Sequence, residues 1–185
     1  IAIFGHGLVG GTLIDQILTS AANIEERKHL KLNIFAVSNS RKLVLSKEGI
    51  NSDWKKEIEN SNQPATIKDV IAFTKANHLE NLIAIDNTAS KDFVANYTTL
   101  VENGFDLVSS NKIANTLDFK FYKELRSLLD KNQKQYLYET NVGAGLPLID
   151  TIRILHLSGE NITRIRGVFS GTLSYLFNQF SSEEN

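Results

Sequence analysis

Three glycines near the start of the chain carry the strongest chemical signal. Gly5-x-Gly7-x-x-Gly10 directly follows the apolar run Ile1-Ala2-Ile3-Phe4 and opens a stretch with helical spacing. In that setting Gly5 permits a tight turn, Gly7 lets a diphosphate approach the backbone, and Gly10 lets helix and strand pack closely. Free N–H groups at the helix start then hold the anion. A dinucleotide fits this pattern; the alternative is a plain glycine turn between strand and helix.

The end of the second apolar run speaks to which dinucleotide. A site for NAD places Asp or Glu there to bond the ribose hydroxyls. Here the residues are Ser38, Asn39, Ser40, Arg41 and Lys42, with no carboxylate and two cations. Arg41 can bond a 2′-phosphate in a fork, so NADP(H) is favoured over NAD(H). The competing explanation is a pair of solvated loop charges. Asp86 to Ser90 and Ser109 to Lys112 both fall at the carboxyl ends of predicted parallel strands, where open α/β sheets bind ligands. Lys112 puts one cation there, beside a nicotinamide or a substrate oxygen, or else is a surface lysine.

Glu139 to Pro147 combines an acid, Gly143 and Gly145 around Ala144, and a proline. Carbonyls in such a turn, with one carboxylate, suit a hard cation; a domain-junction turn has the same composition. The histidines do not cluster. His6 lies inside the glycine turn, where its backbone matters more than its ring, and His29, His78 and His156 are isolated. No Ser-His-Asp set or carboxylate pair stands out. Phe119, Phe121, Tyr122, Tyr136 and Tyr138 read as core or sheet packing.

The elements that position these residues follow from periodicity. Strands are predicted at Ile1–Phe4, Leu32–Ser38, Leu82–Ile85, Phe105–Val108 and Gln135–Tyr138. Helices are predicted at Thr12–Ala22, Ile67–Asn77, Asp92–Asn103 (stopped by Gly104) and Asp118–Lys131. Asn39–Pro64 reads as a loop with a short helix around Trp54–Ile58. The alternation argues for a doubly wound α/β domain. The rhythm changes near residue 140: a helix from Pro147 to Leu157, an alternating strand at Thr163–Phe169, and a final helix Leu173–Phe180 opened by Ser170-Gly171-Thr172. The expected division is 1–138, a Rossmann-type nucleotide-binding domain, and 139–185, the start of an α+β domain.

Composition sets the outer bounds. The 185 residues are 42% hydrophobic and 22% charged, enough apolar material for a core. The net charge of −1 offers no general pull on nucleic acid or an anionic membrane. No apolar run reaches the roughly 18 residues of a membrane span. Cysteine is absent, which removes disulfides, thiolate metal sites and covalent thioester chemistry. A chain without Met that opens in mid-strand reads as a segment of a longer polypeptide.

Taken in order, the glycine motif, Ser38–Lys42, Asp86–Ser90, Asn111-Lys112-Ile113-Ala114-Asn115-Thr116, Tyr138-Glu139-Thr140-Asn141-Val142-Gly143-Ala144-Gly145-Leu146-Pro147 and Gly167-Val168-Phe169-Ser170-Gly171-Thr172-Leu173-Ser174-Tyr175 closely resemble homoserine dehydrogenase. In particular they look like the dehydrogenase half of bifunctional aspartokinase–homoserine dehydrogenase chains, over essentially all 185 residues. The resemblance implies reversible hydride transfer between NADP(H) and aspartate 4-semialdehyde, giving homoserine, in the cytoplasm. It implies coenzyme contacts at Gly5, Gly7, Leu8, Val9, Gly10, Asn39, Ser40, Arg41, Thr88, Ala89, Ser110, Asn111 and Lys112, with Lys112 also assisting catalysis. It implies a monovalent metal, usually sodium, held by Glu139 and the carbonyls of Val142, Ala144 and Leu146, and a substrate pocket lined by Gly171 and Thr172. A homodimer or higher homo-oligomer of the full-length protein is implied too. The family's principal acid/base lysine and the acids that hold the substrate's amino group belong to a later segment, so these 185 residues alone are expected to be inactive and to expose apolar surface. The competing functions are another NADP-dependent aldehyde or ketone reductase and a non-catalytic nucleotide-sensing module.

Overall fold

The computed structural model describes residues 1–168 and 170–183. It divides into two compact units, Ile1–Leu137 and Tyr138–Asn185.

The first unit alternates strand and helix: β1 (Ala2–Phe4), α1 (Leu8–Lys28), β2 (Ala36–Ser38), β3 (Leu43–Leu45), α2 (Trp54–Asn60), α3 (Ile67–Ala76), β4 (Ile83–Asp86), α4 (Lys91–Val94), α5 (Tyr97–Glu102), β5 (Asp106–Ser109), α6 (Phe119–Asn132) and β6 (Tyr136–Leu137). The six strands form one sheet in the order β3-β2-β1-β4-β5-β6. All neighbours are parallel except β2 and β3. This is the strand order of dinucleotide-binding sheets, whose ligand crevice opens where the winding reverses, at β1 and β4. Backbone bonds continue past the strand ends there. Gly5 N–H donates to the Ser38 carbonyl at 2.8 Å, Asn87 N–H to Phe4 at 2.8 Å and Ser110 N–H to Asp86 at 3.0 Å. The loops after β1, β2, β4 and β5 are thereby tied side by side.

Alternation along the strands sends side chains to two faces. On one face Ile3, Val37 and Ile85 join Ile14 of α1 and Trp54 and Ile58 of α2 in a buried cluster. The other face is aromatic: Phe4 meets Phe93 at 4.7 Å between ring centroids, and Phe35 lies between Phe73 and Phe105 at 6.2 and 6.5 Å.

The structure corrects four predicted elements. The strand expected from Leu32 is regular only from Ala36. Ile34 and Val37 share one cluster while Phe35 packs among the aromatics, a three-residue step that breaks the two-residue alternation. The polar loop Asn39–Pro64 holds the antiparallel strand β3. The helix expected over Asp92–Asn103 is two helices, because the Asn96 side chain donates to the Asp92 and Phe93 carbonyls and its own N–H bonds only three residues back. Helix α1 runs four residues earlier and six later than its apolar stripe.

The second unit holds a short 3₁₀ turn at Glu139–Asn141 and two helices, α7 (Leu148–Leu157) and α8 (Gly171–Glu183). Thr163–Val168 is not a strand, a further correction; Phe169 lies outside the described residues. An extended segment needs a partner to complete its ladder, and the described residues of this unit supply none.

Candidate functional site

A cleft of about 750 Å³ opens at the carboxyl ends of the central strands. Gly5, His6 and Gly7 form one wall, Ser38, Asn39 and Ser40 another, and Thr88 and Ser90 a third; Thr66, Asp92 and Asn96 extend it. Gly5 has φ +84°, and a Cβ there would come within 2.9 Å of the Asn87 backbone. A Cβ on Gly10 would lie 1.9 Å from the Gly5 carbonyl oxygen, so only glycine fits under the loop. Gly7 differs: a Cβ there meets nothing within 4 Å. No internal contact requires its lack of a side chain, and the space it leaves is solvent beside the cleft.

The start of α1 borders the same cleft through Gly7. Helices α3, α4 and α6 are capped by their own side chains, Thr66, Ser90 and Asp118. Helices α2, α5 and α7 lack a side-chain cap, and so does α1, which follows Gly7 with no acid in its first turn. Its earliest backbone bond runs from Gly11 N–H to the Gly7 carbonyl, leaving the preceding N–H groups for another acceptor. Leu8 and Val9 stand exposed beside them, 89% and 56%. The buried Asn87 Nδ2, whose side chain lies against Gly10, has no hydrogen-bond partner among the described residues. An anionic dinucleotide suits this cradle: open at Gly7, with unbonded donors and the positive end of a 21-residue helix.

The loop after β2 is a closed turn. Asn39 Oδ1 accepts the N–H groups of Arg41 and Lys42, both at 2.8 Å, and Asn39 N–H donates to the Lys42 carbonyl. The two cations separate in role. Lys42 Nζ donates to the Glu59 carbonyl at the end of α2. Arg41 is exposed next to Ser40, and its guanidinium makes no bond among the described residues.

A buried polar network supports the loop that carries Lys112. Asp86 is 2% exposed; its carboxylate accepts from Tyr97 Oη at 2.7 Å, Asn111 Nδ2 at 3.0 Å and Thr88 N–H at 2.7 Å. Tyr97 Oη also meets Ser109 Oγ at 2.9 Å, and Ser109 Oγ accepts Asn111 N–H. Asn111 Oδ1 accepts Ile113 N–H, and Ser110 Oγ donates to Asn87 Oδ1. Burial, reinforced by the Asp86 charge, pushes the Tyr97 hydroxyl far above its ordinary range; burial raises Tyr136 also. Both phenols stay neutral; Tyr97 donates to Asp86, and Tyr136 Oη accepts from Asn115 Nδ2. Lys112 follows this network as an exposed residue, so its ammonium is free to meet a bound molecule while its backbone is held.

Gly5, Gly7, Asn39, Ser40 and Thr88 therefore share one cleft, Gly10 underlies it, and Ser110 and Asn111 adjoin it through Asn87 and Thr88. Arg41, Ala89 and Lys112 are exposed residues of the loops at this edge. The sequence reading missed the His6 ring, which contacts Asn39 and Trp54, and the Asp86–Tyr97–Ser109 group. An Asp ending an apolar strand was the one available signal for the latter.

In the second unit, Glu139 Oε1 and Oε2 accept the N–H groups of Ile149 and Asp150, each at 2.8 Å, at the start of α7. The Leu146 carbonyl accepts Leu148 N–H, and Ala144 has φ +53°. These donors are all oxygen, which fits a hard cation rather than a soft one. Among the described residues no cluster of three or more His, Cys, Asp or Glu could hold a metal. Gly171 and Thr172 are exposed in the first turn of α8.

Fold, cleft and uncapped glycine helix define a dinucleotide-binding domain of the doubly wound class. The sequence pattern described as "Homoserine dehydrogenase, NAD binding domain" matches residues 5–139, and that described as "Homoserine dehydrogenase" matches residues 147–185. The chain belongs to the homoserine dehydrogenase family. It is 39% identical to the chloroplastic bifunctional aspartokinase/homoserine dehydrogenase 1 of Arabidopsis thaliana, over 97% of this chain and 20% of that protein. It is 34% identical to the homoserine dehydrogenase of Saccharomyces cerevisiae, over all of this chain and 50% of that one. A hyperthermophilic archaeal homoserine dehydrogenase in complex with NADPH shares the fold: TM-score 0.61 and 22% identity, over 82% of this chain and 46% of the other. The chain thus spans a fifth to a half of its relatives. No helix among the described residues is long and apolar enough to cross a membrane.

Proposed function

We propose that this chain is the coenzyme-binding part of a cytoplasmic homoserine dehydrogenase that uses NADP(H) and interconverts aspartate 4-semialdehyde and homoserine. The observation that carries the reading is the uncapped start of α1 at Gly7, open to the cleft in a chain of this family. The archaeal relative solved with NADPH supports the choice of coenzyme.

In this reading the N–H groups after Gly7 hold the diphosphate, and Ser40 and Arg41 hold the 2′-phosphate. Thr88, Ala89, Ser110 and Asn111 border the nicotinamide end. When bound, the nicotinamide supplies or accepts the hydride. Lys112 stabilises the negative charge that develops on the substrate oxygen. Gly171 and Thr172 line the substrate pocket. Glu139 and the carbonyls of Val142, Ala144 and Leu146 hold a sodium ion that stiffens their turn. The full-length protein works as a homodimer or larger homo-oligomer.

The test is homoserine-dependent reduction of NADP⁺ by the full-length protein. Lys112→Ala is expected to cut turnover by about 10²- to 10³-fold, as loss of one charge-stabilising donor does, with NADPH binding retained. Unchanged turnover in Lys112→Ala would overturn the role given to Lys112, and a wild type that binds NADPH without oxidising homoserine would overturn the enzyme reading and leave a nucleotide sensor.

A further inference from the structure

The His6 ring makes two contacts that the glycine loop does not need for its own fold. Its Nε2 lies 3.0 Å from Asn39 Nδ2, and its ring meets Trp54 edge-on, 5.6 Å between centroids. Asn39 decides the direction of the first contact. Its Oδ1 already accepts the N–H groups of Arg41 and Lys42, so its amide nitrogen is what faces the ring. An amide nitrogen only donates. His6 Nε2 is therefore the acceptor, and the ring proton sits on Nδ1. Turning the amide over would satisfy the ring differently but abandon both N–H groups of the turn.

Trp54 braces the other side. Its Nε1 donates to Asp15 Oδ1 of α1 at 2.8 Å, and Lys55 lies over its ring at 5.2 Å and beside Asp15 at 3.3 Å. A Cβ on Gly11 would stand 3.4 Å from the same indole. Helices α1 and α2 thus set the ring, and its one acceptor goes to the Asn39 turn. Glycine loop and turn face each other across one cleft. Arg41 is the cation that turn presents, since Lys42 is bonded to Glu59.

We propose that His6 is a specificity-determining positioning residue: by accepting from Asn39 it fixes the Asn39–Lys42 turn against the glycine loop, and so sets the preference for a coenzyme that carries a 2′-phosphate. The inference rests on the nucleotide reading of the cleft. It predicts that losing the ring acceptor spares the diphosphate hold. That hold depends on Gly5 N–H bonded to Ser38 and on the close fit of Gly5 and Gly10, none of which involves the imidazole.

Calorimetric titration of the full-length protein with NADPH and with NADH tests this. His6→Phe keeps an aromatic edge for Trp54 but has no acceptor; His6→Gln returns one at similar reach. His6→Phe is expected to weaken NADPH about tenfold, the size of one polar contact, and NADH no more than about twofold. His6→Gln is expected to recover NADPH to within about threefold. In an Arg41→Ala background His6→Phe should no longer alter the NADPH-to-NADH ratio. Nitrogen-15 spectra of the wild type should show the Nδ1–H tautomer. Equal weakening of both coenzymes, an unaltered ratio in His6→Phe, or the Nε2–H tautomer would each overturn the inference while leaving the nucleotide reading intact. A wild type that binds neither coenzyme would overturn both.

Discussion

The stretches before and after the end of the first unit at Leu137 carry similar proportions of apolar residues and treat them in opposite ways. In the first unit Ile3, Ile14, Val94, Leu100 and Phe105 are fully enclosed. In the second, no described residue is buried, and Leu157, Val168 and Phe180 are 73%, 78% and 69% exposed. The first unit has a sheet with helices on it, so each apolar face finds a second layer. Among the described residues the second has helices α7 and α8 and no strand, so within these residues their apolar stripes meet no second layer. Hydrophobic content therefore does not make a core; a facing layer does.

Matched truncations would break that contrast most sharply. Leu100→Ala in the first unit should cost about 2–5 kcal/mol in denaturant unfolding, the range for an enclosed leucine. Leu157→Ala in the second should stay within about 0.5 kcal/mol. Equal costs would mean that α7 is as well packed as the sheet.

The next effect is polar. Tyr97→Phe removes a hydroxyl shared by Asp86 and Ser109 and should cost about 1–3 kcal/mol by the same measurement. The pH dependence follows from the raised phenols. Tyr97 and Tyr136 hold their protons more tightly when folded than in the unfolded chain, where the ordinary value is 10.0. Their contribution is complete below that pH and declines as pH rises above it. Stability should fall on the alkaline side, and less steeply in Tyr97→Phe. An identical slope in the variant would show that Tyr97 does not carry it.

The smallest effect concerns Asp15, whose carboxyl is lowered from 3.8, first by the hydrogen bond from Trp54. A lowered carboxyl supports the fold above that value and loses its support as pH falls. Asp15→Asn should flatten the acid end of the stability curve slightly. An unchanged acid limb would remove Asp15 from the brace between α1 and α2.

How much of this was legible follows from locality. The glycine loop could be read because Gly5 and Gly10 are forced by contacts within a few residues of one strand–turn–helix unit, or directly across from it. Lys112 could be placed at a sheet edge because β5 is an apolar run with a clear end. The clasp between His6 and Asn39 joins residues 33 apart, and that between Asp86 and Asn111 joins residues 25 apart. Neither pairing leaves a periodic trace. Strand β3 was hidden because three residues at a sheet edge, Leu43–Leu45, sit in an otherwise polar stretch. Thr163–Val168 shows the converse: its alternation is real, but alternation describes a willingness to pair, and pairing needs an edge.

Gly7 offers the most direct test of the central claim, that the start of α1 holds a dinucleotide. A Cβ there meets no protein atom within 4 Å, so Gly7→Val should leave the first unit's melting near that of the wild type. The same side chain would fill the space the diphosphate needs, and NADPH titration should show binding lost. Wild-type affinity in a folded Gly7→Val protein would contradict the account.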